Sequence, residues 1–76
     1  MDTTWSYTSY KREPWCDAED RKIYRIHFAR HLDMLNGPLS WERVTILIAA
    51  RKISAAIRAI IDSGKNPIEF HDKAVN

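Results

Sequence analysis

The sequence predicts an all-α fold: a helical hairpin of two long helices, with a short third C-terminal helix and an extended, aromatic N-terminal arm. Two observations predict the hairpin: apolar residues spaced three and four apart after Asp17, and an alanine-rich segment after Ser40 that lacks interior glycine or proline. Asn36-Gly37-Pro38, between them, is a strong helix stop. A chain of 76 residues has room for one core, so a single domain over 1–76 is expected.

The predicted arm comprises residues 1–16. Trp5 and Tyr7 alternate with small polar residues, a pattern typical of an extended segment, and Tyr10 and Trp15 add two more large rings. We expect these rings to pack across a neighbouring helix. The alternative is a partly ordered tail that docks only one or two of them.

The first helix is predicted over 17–35. Asp17 is a suitable N-cap, and Asp20 follows in the position of a capping box. The apolar stripe of this helix consists of Tyr24, Phe28, Leu32 and Leu35.

The second helix is predicted over 40–63, between an N-cap at Ser40 and a C-cap at Ser63-Gly64. The β-branched cluster Val44-Thr45-Ile46 could also form a strand, but five alanines further along favour helix. The helical period places Ile46, Ala50, Ile53, Ile57, Ile60 and Ile61 in one core sector. Trp41, Val44 and Ile48 form a second apolar sector, which requires a cover of its own.

The third helix is predicted over 67–74. Asn66 is its cap, Pro67 suits the first helical position, and Glu69 follows at the third. A short extended arm is the competing interpretation of this segment.

Composition restricts the possible functions. The formal net charge is only +2, so any nucleic-acid binding must depend on where the charges lie. Cys16 is the only cysteine and cannot form an intramolecular disulfide, which favours a reducing compartment. The N-terminus lacks a signal-peptide pattern and no apolar run is long enough for a membrane span, so a cytoplasmic protein without membrane contact is expected.

Catalytic and metal-binding patterns are weak. His27 and His31 would share one helix face, and Cys16 with His71 could complete a zinc site, but the second cysteine pair typical of zinc spacings is missing. The sequence has no glycine-rich phosphate loop and no G-x-S-x-G pattern. We therefore expect no enzyme activity, no cofactor and no metal.

The second apolar sector leads to the functional hypothesis of a non-enzymatic, homodimeric protein-binding regulator or inhibitor that acts by steric occupation of a partner surface. In size and style the chain resembles small inhibitory proteins of phages and mobile elements. The predicted partner-binding residues are Trp41, Val44, Ile48, Arg51, Arg58, Trp5, Tyr7 and Tyr10. Alternatively, the N-terminal arm itself covers this sector.

The second hypothesis is a small helical DNA-binding regulator. Arg51, Ser54 and Arg58 would line one ridge of the second helix, where they could contact phosphates and base edges. The apolar first half of that helix is unlike a recognition helix, so nucleic acid ranks below a protein partner.

Overall fold

The computed structural model describes residues 4–32 and 40–73, and these residues form a β-sheet packed against a helix. The elements, in chain order, are β1 (Ser6–Cys16), β2 (Lys22–Leu32), β3 (Ser40–Ala50), α1 (Ile53–Asp62) and a 3₁₀ helix (Pro67–Phe70). The predicted all-α helical hairpin is therefore wrong.

Both long helices of the prediction are corrected. A turn and β2 replace the helix over 17–35, while β3 and the shorter α1 replace the helix over 40–63. The strand alternative for the cluster at Val44 is the one observed. The reason is that β2 pairs with a strand on each side, and this pairing with its packing outweighs helix preferences of less than about 1 kcal/mol per residue.

The ends of the chain differ less from the prediction. The extended conformation expected of the arm is confirmed for Ser6–Cys16, but the segment is a sheet strand rather than a strap across a helix. The C-terminal helix over 67–74 is reduced to Pro67–Phe70, where Asn66 Oδ1 accepts a hydrogen bond from the Ile68 N–H at 3.0 Å. The stop at Asn36-Gly37-Pro38 lies outside the described residues.

The sheet is an antiparallel meander with the strand order β1-β2-β3. A tight turn joins β1 to β2, and Asp17 organises it: its carboxylate accepts the backbone N–H groups of Glu19 at 3.0 Å and Arg21 at 2.7 Å. Asp20 adopts a positive φ of 66°, a conformation that aspartate tolerates better than most residues. Asp17 thus caps a hairpin turn, not a helix.

The core lies between α1 and one face of the sheet, which we call the covered face. Its buried side chains are Trp5, Tyr24, Ile26, Phe28, Ile46, Ile48 and Ile60. In β2 and β3 these are even-numbered residues, because successive side chains of a strand point to opposite faces. Each large apolar side chain buried here contributes about 1.5–3 kcal/mol.

The C-terminal segment closes part of the outer edge of β3. The Leu47 N–H donates to His71 Nδ1 at 3.0 Å, and the Asp72 N–H donates to the Leu47 carbonyl at 2.8 Å. Both outward-pointing backbone groups of Leu47 are thereby satisfied. This attachment shortens the exposed edge, which is where sheets otherwise recruit further strands.

Candidate functional site

The sheet face opposite α1, which we call the open face, carries the odd-numbered residues of β2 and β3. The register pairs Arg25 with Leu47, His27 with Thr45, Ala29 with Arg43, and His31 with Trp41, and β1 adds Ser9 opposite His27 and Lys11 opposite Arg25. Directly paired residues point to the same side of an antiparallel sheet. One surface therefore contains two histidines, three lysine or arginine side chains and an indole.

One end of the open face is closed. Ile23 and Leu47 are buried there, close to the C-terminal segment that holds Leu47. The Glu13 carboxylate, 8% exposed, accepts a hydrogen bond from Arg25 Nε at 2.7 Å. Glu13 is the one acidic residue that the described strands place on this face, and Arg25 pairs with it.

The other end of the open face presents Trp41 to solvent. Its side chain is 53% exposed, and its ring lies against His31 with a centroid distance of 4.1 Å and an interplanar angle of 46°. The imidazole supports the indole from one side and leaves further ring surface accessible. Trp41 is thus a positioned, exposed aromatic group.

Two exposed cations of this face lie at different distances from this aromatic group. Arg43 follows Trp41 by two residues on β3, whereas Lys11 on β1 is level with Arg25 and Leu47, about 20 Å along the strands from Trp41 at about 3.3 Å per residue. Within the described residues, neither forms a salt bridge with an acidic side chain. His27 and Thr45 lie between them, and a 2.8 Å hydrogen bond joins His27 Nδ1 and Thr45 Oγ1.

The open face accounts for the formal net charge of the protein. Lys11, Arg25 and Arg43 against Glu13 give it +2, and the other nine basic and nine acidic residues of the chain cancel. A weak overall charge therefore conceals a cationic surface. Such a surface favours anionic partners through its local potential.

The structure separates the predicted partner-binding residues. Ile48 is buried and Val44 half-buried on the covered face, whereas Trp41 is exposed on the open face. The second apolar sector depended on helical geometry and does not exist in a strand, where residues 41 and 44 point to opposite faces. Of its three members, only Trp41 is available to a partner.

The aromatic residues of the N-terminal segment also separate. Trp5 is buried in the core, with the Arg30 guanidinium 4.6 Å from its ring centroid. Tyr7 and Tyr10 are about half-exposed on the covered-face side of β1, with ring centroids 6.2 Å apart, and Tyr10 meets Tyr24 edge to face at 5.6 Å. Trp5 is therefore a core residue, and the two tyrosines form an exposed aromatic patch.

The proposed arginine ridge lies on the helix side of the molecule. Arg51 precedes α1, while Ser54 and Arg58 lie on its exposed surface. The Arg58 side chain is 84% exposed and approaches Asp62 at 4.0 Å. None of the three borders Trp41 on the open face.

The zinc hypothesis depended on helical spacing. On β2, His27 and His31 share the open face, but a strand rise of about 3.3 Å per residue separates their Cα atoms by roughly 13 Å. His71 bonds Leu47, and Cys16 is an exposed free thiol. Within the described residues, no three His, Cys, Asp or Glu side chains are grouped closely enough to hold a metal ion.

Sequence reasoning placed both histidines on one face, but of a helix, and it missed Lys11 and Arg43 as members of the same surface. The available signal was the alternation of odd and even residues in β2 and β3. In the part of the chain that the structure describes, no helix is long and apolar enough to cross a membrane. Comparison of the chain with protein-family models, with curated proteins and with solved structures found no match in any of the three.

Proposed function

We propose that this protein is a non-enzymatic nucleic-acid-binding module that takes its ligand on the open face. The observation that carries the proposal is the placement of the net positive charge on the same face as an exposed indole, with Arg43 two residues from that indole. Cations neutralise backbone phosphates, and aromatic rings stack on bases, so this combination matches both parts of a nucleic acid.

The dimensions of the open face suit a short ligand. From Arg25 to His31 its accessible part extends about 20 Å along β2, at about 3.3 Å per residue. Arg25 is paired with Glu13, so Lys11 and Arg43 are the cations left to contact about two phosphates, which gives a decrease of roughly one to two logarithmic units in affinity per tenfold increase in salt concentration. Binding should be modest in strength and weakened by salt. The exposed thiol of Cys16 suits a reducing compartment, so the proposed location is cytoplasmic.

Charge-removing variants on opposite sides of the molecule test the proposal. Lys11→Ala and Arg43→Ala each remove one cation from the open face, whereas Arg58→Ala removes one from the exposed side of α1. Fluorescence anisotropy with a labelled mixed-sequence oligonucleotide at low ionic strength measures their affinities. We expect the first two variants to weaken binding and to reduce the salt slope by about one each, with Arg58→Ala unchanged.

The same assay decides against the proposal in two ways. No binding of the wild-type protein at low ionic strength rules out a nucleic-acid ligand. An equal loss from Arg58→Ala and Arg43→Ala moves the contact away from the open face, and the Arg51/Ser54/Arg58 ridge then becomes the surface to map.

Protein recognition is the second candidate, with a second copy of this chain as the partner. Tyr7 and Tyr10 favour it because they are exposed on β1, which pairs with a neighbour on one side only. Tyrosine is enriched in interface hot spots, and a symmetric contact could join two β1 edges. Light scattering over a concentration range tests this: a dimer that Tyr10→Ala dissociates supports it, and a constant monomer mass refutes it.

A further inference from the structure

We infer that the nucleic acid bound by the open face is single-stranded, and that one of its bases stacks on Trp41. This inference rests on the proposed function and names the class of its ligand. It is carried by the position of Trp41, which projects from the cationic face at the end away from the buried Ile23 and Leu47.

The His31 contact makes Trp41 a prepared stacking surface. The imidazole lies 4.1 Å from the indole, centroid to centroid, so part of the ring is supported while about half of the side chain stays in contact with water. A ring held before binding loses less rotational freedom when the ligand arrives. His31 is accordingly a positioning residue for Trp41.

The exposed cations of the open face continue from Trp41 toward its other end, along a path that a nucleic-acid backbone could follow. Arg43 is two residues from Trp41 on the same face of β3, about 7 Å along the strand. Lys11 extends the cationic surface across the sheet through its pairing with Arg25. A base on Trp41 with its phosphate near Arg43, and later phosphates of the same strand toward Lys11, is the arrangement used by single-strand binding surfaces, in which bases stack on aromatics and the backbone follows a basic surface.

A duplex would gain little binding energy from Trp41 on this surface. Its bases are paired and stacked, and its grooves expose only their edges, which polar side chains read by hydrogen bonds. An indole projecting from the sheet meets a base face only if the duplex is unstacked, which is energetically unfavourable. The group that projects at this end of the open face is aromatic, and this favours unpaired bases.

Three probes test the inference: a single-stranded thymidine oligonucleotide on the order of ten residues, the same oligonucleotide with abasic sites, and a hairpin duplex. We expect the wild-type protein to bind the first probe about five- to 150-fold more tightly than the abasic probe, the span corresponding to one stacked base. The duplex should bind no more tightly than the abasic probe. This comparison uses the unaltered protein and is independent of the folding of any variant.

Variants assign the stacking to one residue. Trp41→Ala should bind the thymidine probe as weakly as the wild type binds the abasic probe. The variant should also bind the thymidine and abasic probes with equal affinity. Trp41→Phe, which keeps a ring, should lose less. Trp15→Ala is the matched control, because Trp15 is 46% exposed but lies beside the β1-β2 turn, far from Trp41, and its affinity should be unchanged.

The outcomes separate the inference from the function on which it rests. Duplex binding as tight as single-strand binding, with no effect of Trp41→Ala, overturns the inference and leaves a nucleic-acid-binding module. A loss from Trp15→Ala equal to that from Trp41→Ala also overturns the assignment to Trp41. If none of the three probes binds at low ionic strength, both proposals are overturned. A protein partner then becomes the ligand to search for.

Discussion

Replacing Ile46 with alanine tests how this sheet is packed. Ile46 is 0% exposed and pairs directly with Ile26, which is also 0% exposed, beneath α1. The change removes three buried carbons at about 0.8 kcal/mol each, and the cavity left behind adds to this loss. We expect a destabilisation of about 2–5 kcal/mol. At about 0.05–0.15 kcal/mol per residue, the whole domain has only about 4–11 kcal/mol to lose.

Urea denaturation followed by tryptophan fluorescence measures this loss, since Trp5 is buried in the same core. Thr45→Ala is the matched control one residue earlier. Thr45 is exposed on the open face, where its hydroxyl meets only His27 among the hydrogen bonds described, so its replacement should cost less than about 1 kcal/mol. If Ile46→Ala leaves too little folded protein, Ile46→Val should give about 0.5–1.5 kcal/mol.

Ile48→Ala makes the test specific to a strand. Residues 46 and 48 share the covered face of β3, whereas on a helix they would lie about 200° apart. Both alanine variants should therefore destabilise the protein by similar amounts, whereas Thr45→Ala, which precedes both positions and lies on the open face, should cost much less. If Thr45→Ala and Ile46→Ala lowered the free energy of unfolding equally, or if Ile48→Ala lowered it negligibly, the alternation of side chains between the two faces of β3 would be refuted. The open face depends on that alternation.

Two further predictions concern the turn and the C-terminal segment. Burial alone would raise the pKa of the Asp17 carboxyl, but the backbone N–H and guanidinium of Arg21 and the backbone N–H of Glu19 lower it below its ordinary 3.8. A carboxyl with a lowered folded-state pKa stabilises the protein above its ordinary pKa, and this contribution is lost as the pH falls through the lowered pKa. The wild type should therefore exceed Asp17→Asn in stability at neutral pH, and the difference should shrink as the pH falls below 3.8, which thermal unfolding at several pH values measures. His71→Phe removes the acceptor for the Leu47 N–H, so hydrogen exchange of that amide should accelerate and stability fall by about 1 kcal/mol, whereas an unchanged exchange rate would contradict the bond.

The prediction of helix over β2 failed because its main signal fits both structures. Tyr24 and Phe28 are four residues apart, and that spacing returns to the same face in a strand and nearly so in a helix. Ile26 distinguishes the two, since it lies between them on a strand face and on the far side of a helix. In β3, Val44, Ile46 and Ile48 repeat the two-residue period, but the alanines that follow belong largely to α1, and treating both segments as one element hid the boundary.

The capping chemistry was easier to predict than the elements it caps. Gly64 has a positive φ of 71° immediately after α1 and Ser63, so the predicted helix end is observed. Asn66 caps the segment expected of it, although only a 3₁₀ helix follows. Asp17 binds backbone N–H groups as a cap does, but in a hairpin turn. These side chains act on backbone within a few residues, so their chemistry depends little on which strands or helices surround them.

The candidate site depends on long-range order that local patterns do not contain. Lys11 and Arg43 are more than 30 residues apart, and only the register of two strand pairs puts them on one face. A sheet sorts charges by odd and even position, so a net charge of +2 becomes a face with three cations and one paired carboxylate. Trp41 was selected from the sequence for its expected exposure, and it is exposed, but its neighbours differ from those of a helix. The indole lies beside His31 and Arg43 instead of Val44 and Ile48, and for this reason we propose a single-stranded nucleic acid as its partner instead of an apolar groove.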